Sequence, residues 1–221
     1  PDFPGYDPTV QAATYNLTKA RELVVSMGFG DMGWTDAQWE AGNFRTWNYT
    51  YNIGNDFRED LLVLLQDNLA LIGIEIIDQG MSWADFIYRA YGYMEPGGYD
   101  SLMIYWIGWG PDYLSPFNMI APLFSNKSAS NAAQYWNHNV ETWLAEVLTE
   151  TNAAARQVLY SNILRQIVEV DMPHAFGYHP YQHSVHSANI AGVSYNAMGS
   201  FYVYPMYRTG QIGRASCRER V

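Results

Sequence analysis

The sequence predicts an α/β fold in which a mixed sheet is flanked by helices, and three observations carry the prediction. Strand-like and helix-like segments alternate through the first half of the chain. The strongest helical stripe closes at Gly73 and leads straight into the compact run IEIIDQG. The chain has 221 residues and 48% hydrophobic content, enough for one sizeable globular lobe.

The elements follow in order. After a proline-rich lead, NLTKARELVVSMGFG spaces Leu17, Ala20, Leu23, Val24 and Met27 on one helical face and stops at Gly28. FRTWNYTYNI then alternates: Trp47, Tyr49, Tyr51 and Ile53 point one way, Thr46, Asn48, Thr50 and Asn52 the other, which is a strand. Asn55 or Asp56 can cap the next helix, whose stripe is Leu61, Leu62, Leu65, Leu69 and Ile72. IEIIDQG reads as a strand, Ser82 caps a helix through WADFIYRAY, and GGYDSLMIYWIGW reads as a buried strand. Two helices follow, VETWLAEVLTE and AAARQVLYSNILRQIVEV, broken between Thr151 and Ala153 and ended by Pro173. HAFGYHP and HSVHSANIAGVSYN alternate loosely as β segments with turns at Gly177 and Gly192.

Aromatics dominate the composition: 18 Tyr, 8 Trp and 9 Phe make 16% of the chain, and many stand in polar surroundings such as TWNYTYN. Large side chains with few rotors suit ligand surfaces as well as cores. The formal charge is −10, which argues against a phosphate-tracking surface and so against a nucleic-acid partner. No window approaches about 18 consecutive apolar residues, and PDFPGYDPTV lacks the order of a signal peptide, so any export signal is expected on sequence outside this chain. The tail, residues 211–221, has no apolar period; its last ten residues hold the single cysteine and resemble a translated sequencing adapter, and are expected to be non-native. Without them the chain has no cysteine, hence neither a disulfide framework nor a thiolate metal site.

Four stretches in order, LTKARELVVSMGF, LLQDNLALIGIEI, YDSLMIYWIGWGPDYLSPFN and ARQVLYSNILRQIVEVDMPHAFGYHP, resemble the C-terminal half of the extracytoplasmic solute-binding proteins of ABC transporters, in the family that binds dipeptides, oligopeptides and nickel. The resemblance implies a periplasmic-binding-protein-like lobe of an incomplete two-lobe protein. Residues 1–170 would form the C-terminal ligand-binding lobe and residues 171–210 a return segment to a missing first lobe. It further implies a location outside the cytoplasm, in the periplasm or lipid-anchored on the outer face of the membrane. The expected partners are a peptide or other small solute and ABC permease subunits, with no cofactor, no catalysis and a monomeric state.

A receptor that takes many peptides must read their common backbone: an extended main chain can pair with a strand edge, and a carboxylate can hold the terminal ammonium. WIGWGPD offers these parts: residues 107–110 an edge, Gly108 and Gly110 close approach, Trp109 a wall and Asp112 the charge. The resemblance places Asp112 at the ligand's amino terminus and Trp109 in the pocket, while Trp106, Tyr105 and Tyr113 are candidates by proximity. In the alternative, Asp112 caps the turn after Pro111. Ser115-Pro116 stands where relatives often have Asp-Pro, which leaves ligand class open between peptide, sugar and metal chelate. A glycosidase-like enzyme pairing carboxylates among Asp100, Asp112, Glu141 and Glu146 is the alternative from another class. His174, His179, His183 and His186 fit no metal motif and are expected to face solvent.

Overall fold

The computed structural model describes residues 3–92, 102–178, 183–195, 199 and 201–209. Its first helix, α1 (Leu17–Ser26), starts where Asn16 accepts a hydrogen bond from the Lys19 N–H. No residue of α1 is fully buried: of the predicted apolar face, Leu17, Ala20 and Val24 are partly buried, and Leu23 and Met27 are exposed. The next helix, α2 (Asp36–Gly42), was not expected from the sequence: its seven residues are too few for a period. A capping box between Thr35 and Gln38 opens it, and Trp39, fully buried against Trp34 and Phe44, holds it in place.

The predicted alternation then appears as β1 (Arg45–Asn52), α3 (Asp56–Ala70), β2 (Ile74–Met81), α4 (Trp83–Ala90) and β3 (Ile104–Tyr105). Asn55 and Ser82 cap α3 and α4 as their sequence positions suggested. Gly73 takes φ +74°, and a Cβ there would stand 2.5 Å from the Phe44 ring, so the turn from α3 into β2 requires glycine. The strands form one parallel sheet in the order β2-β1-β3. β1 lies at the centre; its Tyr49 and Tyr51 stack at 5.2 Å and pack with Ile76 beneath Leu61, Leu62, Leu65 and Leu69 of α3. Burial pushes the Tyr49 hydroxyl up to about 12, so it is neutral throughout the physiological range.

β3 is much shorter than the expected strand. Only Ile104 and Tyr105 pair, with Tyr49 and Thr50, and residues 106–115 run on without regular structure; residues 97–101 of the expected strand lie outside the described residues. The reason is local: β1 offers only two further residues, and the run meets Gly108, Gly110 and Pro111, the last without an N–H to donate.

The second half is helical. α5 (Pro116–Phe124), α6 (His138–Glu146) and α7 (Ala153–Arg165) enclose a core of Ile120, Phe124, Tyr135, Val140, Leu144, Tyr160 and Ile163, and α7 ends in a π turn, Gln166–Asp171. α5 escaped the sequence reading because it is apolar on most sides and contains Pro122. Where the segment HAFGYHP is described, at residues 174–178, it forms no strand, contrary to expectation. The antiparallel pairing sits in two small ribbons: β4 (Ile190–Ala191) with β7 (Tyr207–Arg208), and β5 (Ser194–Tyr195) with β6 (Phe201–Tyr202).

Candidate functional site

All three strands of the sheet run the same way, so the segments leaving β1, β2 and β3 emerge at one carboxyl edge. β1 connects to β2 on one side, whereas β3 lies on its other side. The order therefore reverses between β1 and β3, and in open α/β sheets the crevice outside such a reversal is where ligands settle. The chain that leaves β3 at this point is the aromatic and glycine-rich stretch from Trp106 to Asp112.

Asn118, in the first turn of α5 and buried, fixes that stretch from below. Its Oδ1 accepts from the Asp112 backbone N–H at 2.6 Å, its Nδ2 donates to Asp112 Oδ2 at 3.4 Å, and its main-chain carbonyl accepts from Trp109 Nε1 at 2.9 Å. Ser115 caps α5 by accepting from the Phe117 N–H, and Pro116 follows at the first helical position. Asp112 is thus a carboxylate just ahead of a helix N-terminus, a favourable place for negative charge. It is exposed, and no lysine, arginine or histidine among the described residues forms an ion pair with it.

The expected site residues divide in this geometry. Trp109 and Asp112 are brought together through Asn118. Gly108 and Gly110 are exposed, and a Cβ on either would meet nothing within 4 Å, so their faces are open to an approaching group. Trp106 turns elsewhere: its ring packs edge-on to Phe57 at 5.0 Å, stacks with Tyr178 at 6.0 Å and covers Gly177. Tyr113 lies about half exposed on the rim of a different groove, with Pro116, Leu148 and Tyr160.

Two residues at this edge were not singled out from the sequence. Asn118 left no signal in periodicity. Arg58 looked like an ordinary charged helix residue, yet it is only 8% exposed, donates to Asn52 Oδ1 and lies over the rings of Trp83 (5.3 Å) and Phe86 (5.2 Å). Burial lowers its pKa from the usual arginine value, although a guanidinium remains charged. Arg58 thereby ties the end of β1 to the starts of α3 and α4.

The histidines differ from expectation at one position. His174 is not solvent-facing: its ring packs 4.8 Å from Phe124, and burial lowers its pKa. His183 and His186 are exposed, and His179 lies outside the described residues. Among the described residues no group of three His, Cys, Asp or Glu could hold a metal ion. Of the acids considered for a glycosidase, Asp100 lies outside the described residues. Glu141 accepts from Ser125 Oγ at 3.2 Å and the Asn126 N–H at 2.6 Å, which makes it a loop staple. No helix among the described residues is long and apolar enough to cross a membrane.

Comparison with known proteins agrees with this architecture. Residues 1–131 match the profile of the bacterial extracellular solute-binding proteins, family 5 Middle. The chain is 26% identical over 193 residues to the oligopeptide-binding protein AppA of Bacillus subtilis, covering 85% of this chain and 34% of that protein. It is 26% identical over 203 residues to di/tripeptide-binding protein 1 of Pseudomonas aeruginosa, covering 89% of this chain and 34% of the relative. The chain therefore spans about a third of the length of these curated relatives. Among solved structures it is similar to HbpA2 from Haemophilus parasuis (TM-score 0.70, 21% identity, 94% of this chain and 38% of that one). It is also similar to AppA from B. subtilis in complex with a nonapeptide (TM-score 0.69, 21% identity, 93% of this chain and 40% of that one). These likenesses establish the periplasmic-binding-protein-like α/β fold, and with the profile match they lead to one conclusion: the chain belongs to the bacterial extracellular solute-binding proteins, family 5.

Proposed function

We propose that this chain is the ligand-binding lobe of the substrate-binding component of an ABC importer, which captures peptides outside the cytoplasm and delivers them to a permease. The observation that carries the reading is Asp112: an exposed carboxylate with no cationic partner among the described residues, held at the carboxyl edge of the sheet beside Trp109. Such a group holds the protonated amine of a peptide. In a cleft that has shed its water, the pairing discriminates for a free amino terminus more than it adds affinity. The open faces of Gly108 and Gly110 admit the ligand main chain. The peptide-binding names of the B. subtilis and P. aeruginosa relatives support the same ligand class.

Residues 1–170 act as most of one lobe, and residues 171–210 return toward a second lobe. Ligand contacts from both lobes stabilise the closed state, which the permease recognises; the protein is monomeric and performs no chemistry. The test is calorimetric titration of the complete protein with trialanine and N-acetyl-trialanine. Loss of one charge-assisted hydrogen bond, about 1.5–3 kcal/mol, predicts that Asp112→Ala weakens trialanine binding by roughly 10- to 100-fold. The acetylated peptide should bind weakly and be indifferent to the substitution. Equal affinity for both peptides, unchanged in Asp112→Ala, would overturn the reading.

A further inference from the structure

Helix α5 contains a proline whose position is informative. An α-helical carbonyl at position i is normally capped by the N–H of residue i+4. For Asn118 that residue is Pro122, which has no N–H, and whose ring crowds the carbonyl four residues earlier. The Asn118 carbonyl is therefore left without its helical donor, in a residue that is only 8% exposed. Trp109 Nε1 supplies the missing hydrogen bond at 2.9 Å. The same residue's side chain holds the Asp112 backbone at 2.6 Å and the Asp112 carboxylate at 3.4 Å.

We propose that Asn118 and Pro122 form a positioning device for the ligand loop: Pro122 vacates a helix carbonyl so that Trp109 can anchor to it, and the Asn118 amide sets the direction of the Asp112 carboxylate. Neither residue touches ligand. The Asp112 part of this inference rests on the reading of Asp112 as the ammonium catch; the Trp109 part does not. An asparagine side chain alone could be a helix-start feature. An asparagine whose carbonyl is freed by a proline four residues on, and whose three polar groups all turn to the same loop, is a built support. It also accounts for a proline placed where it costs the helix a hydrogen bond.

The test uses the complete protein labelled with 5-fluorotryptophan, with the Trp109 resonance assigned through Trp109→Phe, and the two variants Asn118→Ala and Pro122→Ala. Pro122→Ala returns an N–H to the helix, so the melting temperature should hold or rise while the Trp109 fluorine resonance shifts. A merely structural proline would not move stability and the indole signal in this opposed way. Asn118→Ala should shift the same resonance and weaken trialanine binding about tenfold, leaving N-acetyl-trialanine unchanged. A Trp109 resonance unmoved in both variants overturns the proposal, whatever the peptides do. Equal loss for both peptides in Asn118→Ala overturns the Asp112 part. If the unmutated protein binds both peptides alike, the ammonium reading falls, and the fluorine shift still decides the support of Trp109.

Discussion

Gly177 lies against the outer edge of the Trp106 indole so closely that a Cβ there would stand 1.8 Å from Trp106 Cη2, 2.6 Å from Cζ3 and 2.9 Å from Cζ2. Gly177→Ala is therefore an overpacking experiment at the seam between the 171–178 segment and the loop after β3. Ordinary carbon contact is about 3.5–4 Å, so the indole must retreat by roughly 2 Å. In doing so it disturbs its two ring contacts, Phe57 at 5.0 Å and Tyr178 at 6.0 Å. Inserting a methyl into a packed site costs about 1–3 kcal/mol, and each ring contact surrendered about 0.5–1.5 kcal/mol more, so about 2–3 kcal/mol is expected. For a lobe of this size that is a fall in melting temperature of roughly 4–12 °C. Scanning calorimetry reads the loss and near-UV circular dichroism the displaced indole. In a Trp106→Ala background the same substitution should be almost neutral, since the atoms it strikes are gone. A melting temperature within about 1 °C of the parent, or equal losses in both backgrounds, would refute the assigned packing of Trp106.

Two further outcomes follow from buried polar groups. Asn131 donates through Nδ2 to the Ser125 and Tyr135 carbonyls at 3.2 and 2.8 Å and accepts from the Tyr135 N–H at 3.1 Å. Asn131→Asp puts an acceptor against two acceptors and should cost about 3–5 kcal/mol near neutral pH. The folded state raises the new carboxyl's pKa, so stability should recover as pH falls below that value; a pH-independent loss in urea titrations would contradict this. For His174 the sign is reversed: burial lowers its folded pKa below the ordinary 6.5. The unfolded chain then binds the proton more readily, so stability present above about pH 6.5 should decline as pH falls through that range, and His174→Leu should flatten the decline. An unchanged pH profile in His174→Leu would exclude the residue as its source.

The legible parts of the fold were those with a period. The alternation of Trp47, Tyr49 and Tyr51 gave β1, the leucines of α3 gave the helix that covers it, and Asn55, Gly73 and Ser82 marked the boundaries that the structure adopts. What escaped was set by tertiary contact. α2 exists because Trp39 is buried among Trp34 and Phe44, and β3 stops early because glycines and a proline follow it. Of the candidate site, the sequence singles out Asp112 and Trp109, which share one support, and Trp106, which is absorbed into packing with Phe57 and Tyr178. Asn118 and Arg58 were hidden because their roles depend on loops distant in sequence. One local clue did exist, the proline four residues after Asn118.

The outer edge of β2 carries a colloidal consequence. Among the described residues no strand pairs with it, and side chains take part of its main chain instead: Gln66 Nε2 donates to the Ile76 carbonyl at 3.1 Å and the Gly80 N–H donates to Asp78 Oδ1 at 2.9 Å, which leaves a second copy fewer groups to extend. Alternation along the strand puts the exposed Glu75 on one face and the exposed Asp78 on the other. A second copy approaching this edge meets a carboxylate on each face, on a chain whose formal charge is already −10. The protection is electrostatic and long-ranged only at low ionic strength. At physiological salt it acts within about 8 Å, so the shelf life of a concentrated solution is set by its salt as much as by its fold.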